Sequence, residues 1–302
     1  MTLVIPVFNG ADTLLRVAPA VRAQAVDRIV YVDDGSTDAT PGILRQLAAG
    51  DERVRVISFQ QNRGRSAARN AGWRSAPSDI VLFLDADVEP GDQWAQRVAV
   101  PIQSGAAIAT VGRFRFGDLD PRDPYHQYLT WSGRGAQRTT PGPVGWRHFL
   151  AGAAAIATDA LAAAGGFPEE IAYGEDLALA CALSRQAPMG LHLVPDAEAT
   201  MFDPGTLETA LTKLAAFARG LPLATRLCPD ALAVAGLGRL TSVRLPDRLL
   251  RTAARWRLPA ALLRRSLRVL PNRMRPLAVR YLLGHTLAVH ASDAFPRATE
   301  RP

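Results

Sequence analysis

The chain has 302 residues, of which 48% are hydrophobic, enough for one large domain or for a domain with a substantial appendage. A membrane span needs roughly 18 uninterrupted apolar residues, and the Ala-rich run from Leu150 to Phe167 is broken by Asp159 and three glycines. The formal charge of +7 is unevenly placed: residues 205–302 hold 17 of the 35 Lys+Arg and 5 of the 28 Asp+Glu, so residues 1–204 are net acidic. An acidic N-terminal part argues against a nucleic-acid surface there.

The opening "MTLVIPVFNG" runs straight into a strand-like stretch with no basic leader, so no targeting segment is expected. Cys181 and Cys228 show no metal-ligand spacing and read as buried thiols in a reducing compartment. A soluble cytoplasmic protein is the expectation.

Four short runs rich in Val, Ile and Phe predict strands at 3–8, 29–33, 54–59 and 80–84. Between them lie helical patterns: roughly Ala11 to Ala25, a stretch capped by Ser36 or Thr37 that stops at Gly50, and residues 65–76. Alternating strands and helices, with nearly continuous apolar strands, predict an α/β domain with a mostly parallel sheet covered on both faces. Residues 117–143 read as loop-rich, and a helix starts around Glu175 and Asp176, where acids suit the helix dipole. After Pro204 the sequence turns Leu/Arg-rich and is broken by prolines at 222, 229, 246, 259, 271 and 276.

Ligands of open parallel sheets bind outside the carboxyl ends of the strands. Three predicted strand ends carry polar chemistry here: Pro6-Val7-Phe8-Asn9, Asp33-Asp34-Gly35-Ser36 and Asp85-Ala86-Asp87. In extended backbone Asp85 and Asp87 share one side, and a divalent cation carrying phosphate ligands relieves their repulsion. The alternative is a strand leaving the core through polar residues. Neither Gly-x-Gly-x-x-Gly after the first strand nor Gly-x-x-x-x-Gly-Lys-Ser/Thr occurs, which argues against dinucleotide oxidoreductases and P-loop enzymes.

In order and spacing, "IPVFNGADTL" (5–14), "IVYVDDGSTDAT" (29–40), "NRGRSAARNAG" (62–72), "VLFLDADVEP" (81–90), "GGFPEE" (165–170) and "GEDLAL" (174–179) resemble the family 2 glycosyltransferases with the GT-A fold. The resemblance covers roughly residues 1–200. It implies a catalytic domain over 1–203 with a Rossmann-like GT-A sheet flanked by helices; the helical, Arg-rich segment over 204–302 is set apart by its composition and carries no part of the resemblance. The resemblance also implies inverting transfer of one sugar from a nucleotide-diphosphate sugar, UDP-sugar favoured, to an acceptor hydroxyl, with Mg2+ or Mn2+. By the same resemblance Asp87 is the direct metal ligand, while Asp85 contacts the ribose or a metal-bound water. Asp34 takes the base N–H of a uridine-type nucleotide, in a pocket lined by Pro6, Val7 and Asn9. Arg69 steadies this acidic pocket or the nucleotide; the alternative is a solvated helix arginine. Asp176 matches the general base, with Glu175 beside it an acceptor contact or helix-cap partner, and plain N-terminal capping is the alternative for both. Asp33 and Asp38 read as turn and cap residues. The small residues 151–155 match a strand beneath the sugar.

Some positions depart from the family pattern. Where relatives often place a histidine after "VPDA", this chain has Met201 or Phe202, and His192 is out of register and reads as structural. Gln-x-x-Arg-Trp, the mark of processive relatives, is absent, since Thr252 precedes Arg255-Trp256; single-sugar transfer is favoured. Ala178 replaces an acid common in relatives. The acceptor is expected to be a carbohydrate, a lipid-linked molecule or a small molecule. In the tail, "DRLLRTAARWRLPAALLRRSLRVLPNRMRP" reads as a basic amphipathic surface for anionic lipid at the inner face of a membrane, or as a helical subdomain packed by its leucines. A catalytically inactive nucleotide-sugar-binding scaffold and a nucleotidyltransferase are the competing functions.

Overall fold

The computed structural model describes residues 1–75, 77–132, 140–202, 204–228 and 257–294. They divide into two compact units. The first comprises residues 1–117, 135–170 and 175–203; the second comprises 118–134, 171–174 and 204–302.

The first unit is built on a sheet whose strands β1 (Thr2–Val7), β2 (Arg28–Asp33), β3 (Val54–Ser58) and β4 (Ile80–Leu84) are all parallel. Beyond β4 come β5 (Val88–Pro90), β6 (Ala109–Phe116), β7 (Gly142–Pro143), β8 (Ala153–Ala157) and β9 (Leu191–Met201). The order is β3-β2-β1-β4-β8-β6-β9-β5, with β7 pairing on β9. β8 enters antiparallel between β4 and β6, and β6 pairs parallel with β9. The predicted strands and the mostly parallel sheet are therefore present, and the small-residue strand is β8.

Alternation along β1 explains its unbroken apolar sequence. Leu3, Ile5 and Val7 enter one core with Leu14, Val17 and Val21 of α1 (Ala11–Arg22), Leu44 of α2 (Thr40–Ala49) and Trp94 and Val98 of α4 (Trp94–Gln103). Val4 points the other way, into a core with Ala68 of α3 (Arg65–Ser75), Leu161 of α6 (Thr158–Ala163) and Leu179 and Leu183 of α7 (Glu175–Gln186). Both faces exclude water, so no position of the strand needs a polar residue.

The second unit contains α5 (Pro124–Ser132), α8 (Leu207–Leu227), α9 (Arg257–Ser266) and α10 (Arg275–Ala294). Helix α10 packs on α8 and α5, with Ala218, Leu221 and Ala291 buried beside Phe217 and Leu287. Thr206 caps α8 by accepting from the Thr209 backbone, and the Thr209 hydroxyl accepts in return from the Thr206 N–H.

Four expectations need correction. Residues 124–132 form a helix, not loop. Helix α8 continues through Pro222. Helix α2 begins at Thr40, because Ser36 and Thr37 are held by the β1 loop, as shown below. Neither cysteine is a thiol: both Cys181 and Cys228 are disulfide-bonded, which removes the argument for a reducing compartment. Among the described residues no helix is long and apolar enough to cross a membrane. The expected amphipathic stretch around Arg248–Trp256 lies outside the described residues.

Candidate active site

The site is assembled at the carboxyl ends of β1, β2 and β4. The loops after β1 and β2 interlock. Asn9 adopts a left-handed backbone (φ 50°), its N–H donates to Ser36 Oγ (2.9 Å), and its Oδ1 accepts from the Thr37 N–H (2.9 Å). Asp38 accepts from the Ala11 N–H (3.1 Å) at the start of α1 and from the Thr40 N–H (3.0 Å), while Asp33 accepts from the Ser36 N–H (2.9 Å). Asp33 and Asp38 are thus turn and cap residues. Gly35 has φ 76°, and a Cβ there would meet the Gln61 backbone at 2.5 Å, so only glycine fits this turn.

Asp34 is buried, with Oδ1 accepting from the Arg63 N–H (2.7 Å) and Oδ2 from the Gly64 N–H (2.9 Å). Burial pushes its carboxyl above the ordinary range, opposed by those two N–H groups and the Arg63 charge. The Val7 side chain lies in the core and its carbonyl accepts from the Asp34 N–H (2.8 Å), so Val7 offers a ligand no side chain; this corrects its expected lining role. Pro6 is half-buried, and the Asn9 amide oxygen is occupied by Thr37. Phe8, between them, is 49% exposed at the end of a buried strand. In the sequence its mark is a large aromatic at a strand tip beside polar turn residues, a pattern not specific to a ligand contact.

The link between the other elements is Arg69, on the buried face of α3. Only 2% exposed, it donates from Nη1 to Glu175 Oε1 (2.8 Å) and from Nη2 to Asp85 Oδ1 (2.8 Å). Its guanidinium stands 5.2 Å from the Phe167 ring centroid, and Phe167 in turn meets Phe83 of β4 edge-on. The solvated-arginine alternative is overturned. Adjacent Asn70 clamps the Gly-Gly-Phe-Pro segment, donating to the Phe167 carbonyl (2.8 Å) and accepting from its N–H (2.9 Å).

Glu175 is also 2% exposed, and its Oε1 lies 3.5 Å from Arg65 Nε. With arginines on that oxygen and no appreciable surface, it is not placed as an acceptor contact; its expected contact role is corrected to that of a buried counter-charge. Asp176, next along α7, keeps some accessible surface and accepts from the Leu177 N–H (2.8 Å). Burial, then the Glu175 charge, pushes its carboxyl up from 3.8 to about 6, with Arg69 pulling the other way.

Asp85 stays partly exposed, and its Oδ2 faces Gly152: a Cβ there would come within 2.5 Å of it. The missing side chain keeps room at the one Asp85 oxygen that Arg69 does not take. The Asp87 carbonyl accepts from the Phe202 N–H (3.0 Å), so the Met201–Phe202 position, where relatives often have histidine, does lie beside the Asp-Ala-Asp turn. His192 sits elsewhere on β9, its Nε2 3.1 Å from the Met189 carbonyl. Among the described residues no three His, Cys, Asp or Glu side chains form a group able to hold a metal alone. Asp85, with the space beside Oδ2 kept by Gly152, and Asp87 two residues on are hard oxygen donors that suit a cation whose other ligands are phosphate oxygens and water.

The model of the family described as Glycosyl transferase family 2 matches residues 2–160. Among curated proteins, the glycosyltransferase AglE of Haloferax volcanii is 33% identical over 116 residues, 37% of this chain and 38% of that protein. The succinoglycan biosynthesis protein ExoO of Rhizobium meliloti is 38% identical over 113 residues, 36% of this chain and 32% of that protein. The aligned part thus spans about a third of the length of these relatives. Among solved structures, S. aureus TarS 1–349 aligns over 97% of this chain and 90% of its own, with TM-score 0.58 and 16% identity. The mannosyltransferase PcManGT of Pyrobaculum calidifontis, solved with GDP-Man and Mn2+, aligns over 96% and 86%, with TM-score 0.58 and 22% identity. These likenesses give the GT-A fold, and with the family match covering more than half of the sequence, the chain belongs to glycosyl transferase family 2.

Proposed function

We propose that this chain transfers a single hexosyl residue from a nucleoside diphosphate sugar, UDP-sugar preferred, to an acceptor hydroxyl with inversion at the sugar carbon. The observation that carries this reading is Arg69, whose two Nη atoms join Asp85, at the end of β4, to Glu175, the neighbour of Asp176. One buried guanidinium thereby ties the carboxylate pair to the start of the helix that bears the base.

Asp34 is the acceptor proposed for a base N–H: each of its oxygens takes one backbone N–H and keeps a second lone pair, and the fixed carboxylate at the tip of β2 is what supports the uracil preference. Phe8 offers a flat apolar face for the base. Asp87 and the open oxygen of Asp85 would hold Mg2+ or Mn2+, which when bound supplies positive charge for the leaving diphosphate. Asp176 accepts the proton of the acceptor hydroxyl as that oxygen attacks the sugar carbon from the face opposite the diphosphate. Its upward-shifted carboxyl remains mostly ionised at neutral pH and is more basic than an ordinary aspartate, as a general base should be. Arg69 and Glu175 are positioning residues.

The test is calorimetric titration of UDP, GDP, CDP and dTDP, each with Mn2+ and with EDTA, on the parent and on Asp87→Ala. Metal-dependent UDP binding that weakens at least tenfold in the variant is expected. Binding of UDP by Asp87→Ala as tight as by the parent refutes the metal assignment, and preference for another nucleotide refutes the uracil reading.

A further inference from the structure

We propose that residues 262–281, on the second unit, form a docking surface for an anionic phospholipid bilayer. The inference is independent of the reaction assigned above. Exposed apolar side chains are concentrated here: Leu262, Val269, Met274, Leu277 and Tyr281, with Val269 83% and Leu277 54% exposed. Exposed Arg264, Arg265, Arg268, Arg273 and Arg280 interleave them. From Arg248 to Ser292 the sequence contains ten arginines and no Asp or Glu.

The same elements show that this surface is not a core face left open by chance. Helix α10 buries Ala278, Val279, Leu282 and Val289, the side that packs on α8 and α5. Leu277 and Tyr281, four residues apart, lie on one face of α10, and Met274 ends the short 3-10 turn (Asn272–Met274) that leads into it. A helix face turned to water alone is normally polar, whereas this one is aliphatic and aromatic with arginine as its charged partner. Arg280 reaches over the ring of Trp131 on α5, which is itself 50% exposed, so the Arg-aromatic character extends beyond α10.

Charge and apolarity together select the occupant. Arginines attract anionic headgroups while Leu, Val and Met enter the acyl boundary, and Trp and Tyr suit the headgroup level. A nucleic acid would use the cations but not the aliphatic residues. Two arginines have structural duties: Arg264 pairs with Glu208, and Arg275 donates to the Leu270 (2.9 Å) and Arg268 (2.7 Å) carbonyls. Arg268 and Arg273 are therefore the better probes.

The experiment is sedimentation of the full chain with vesicles of phosphatidylglycerol and phosphatidylcholine, and with phosphatidylcholine alone. Binding to the anionic vesicles only is expected. The double variant Arg268→Glu/Arg273→Glu should reduce it by tenfold or more, each arginine near the surface being worth about fivefold. Val269→Ser/Leu277→Ser should also reduce it while leaving UDP binding and helical circular dichroism unchanged. No binding to anionic vesicles, or binding untouched by the charge reversal, overturns the proposal. Loss by charge reversal but not by the serine pair overturns the apolar insertion. A parent that is dimeric by light scattering and becomes monomeric in the serine variant, without vesicle binding, assigns the face to a second copy and also overturns it.

Discussion

Replacing Asp176 by asparagine should separate the chemistry of the site from its stability, in opposite directions. The side chain changes little in size, so the packing of α7 is preserved, but the group can no longer take a proton. General-base catalysis is typically worth ~10²–10⁴-fold, and transfer should fall by about that factor while UDP binding with Mn2+ survives. The carboxyl is held at about 6 instead of 3.8, because burial and Glu175 disfavour its charge. At 1.36 kcal/mol per decade this is roughly 3 kcal/mol as an upper figure. The native state holds the proton more tightly than the unfolded chain, so this contribution to stability is fully present below about pH 4 and is lost as pH rises through about 6. At pH 8 the neutral asparagine should therefore raise the melting temperature, by an amount equivalent to 1–3 kcal/mol (an order-of-magnitude range). At pH 4 the difference should vanish. The checks are single-turnover transfer assays and thermal unfolding at the two pH values. A variant that keeps more than about a tenth of the parent rate refutes the base assignment. Loss of nucleotide binding moves Asp176 to donor recognition, and a variant less stable than the parent at pH 8 refutes the electrostatic account.

Parent kcat/KM should rise with pH along an acid limb centred near 6, the value to which Asp176 is pushed. Glu175→Gln removes the neighbouring charge that helps raise it, so that limb should move to lower pH; an unmoved limb refutes the coupling. Gly152→Ala should weaken metal-dependent UDP binding, since its Cβ would sit 2.5 Å from Asp85 Oδ2, and an unchanged affinity in calorimetry refutes the need for that space. Phe8→Ala should weaken UDP binding about tenfold with no loss of melting temperature, because the ring is exposed and a base-aromatic stack is worth ~1–3 kcal/mol. Equal affinity in the two proteins would deny Phe8 that role.

What the sequence determined by itself was local. Strands β1, β2 and β4 were legible because both their faces are buried, which leaves nearly unbroken apolar runs, the edge strand β3 by its Val and Ile although Arg55 and Ser58 are exposed, and α1 to α3 because of their helical periodicity. Asp85 and Asp87 could be singled out because two carboxylates one residue apart at a strand end need a chemical reason. Long-range placement was legible only in part. The antiparallel insertion of β8 depends on pairing between residues about 70 apart in sequence, such as Leu84 with Ala153, and no local pattern encodes it. Val7 was expected in the pocket through the family resemblance, which says nothing about which side chain faces the core. Arg69 and Glu175 are 106 positions apart, and each alone looks like an ordinary charged residue on a helix. Their burial as a pair was decided only when α3 and α7 came to lie on the same face of the sheet, where an isolated charge would be too costly and each supplies the other's counter-charge, with Arg65 and Asp85 beside them.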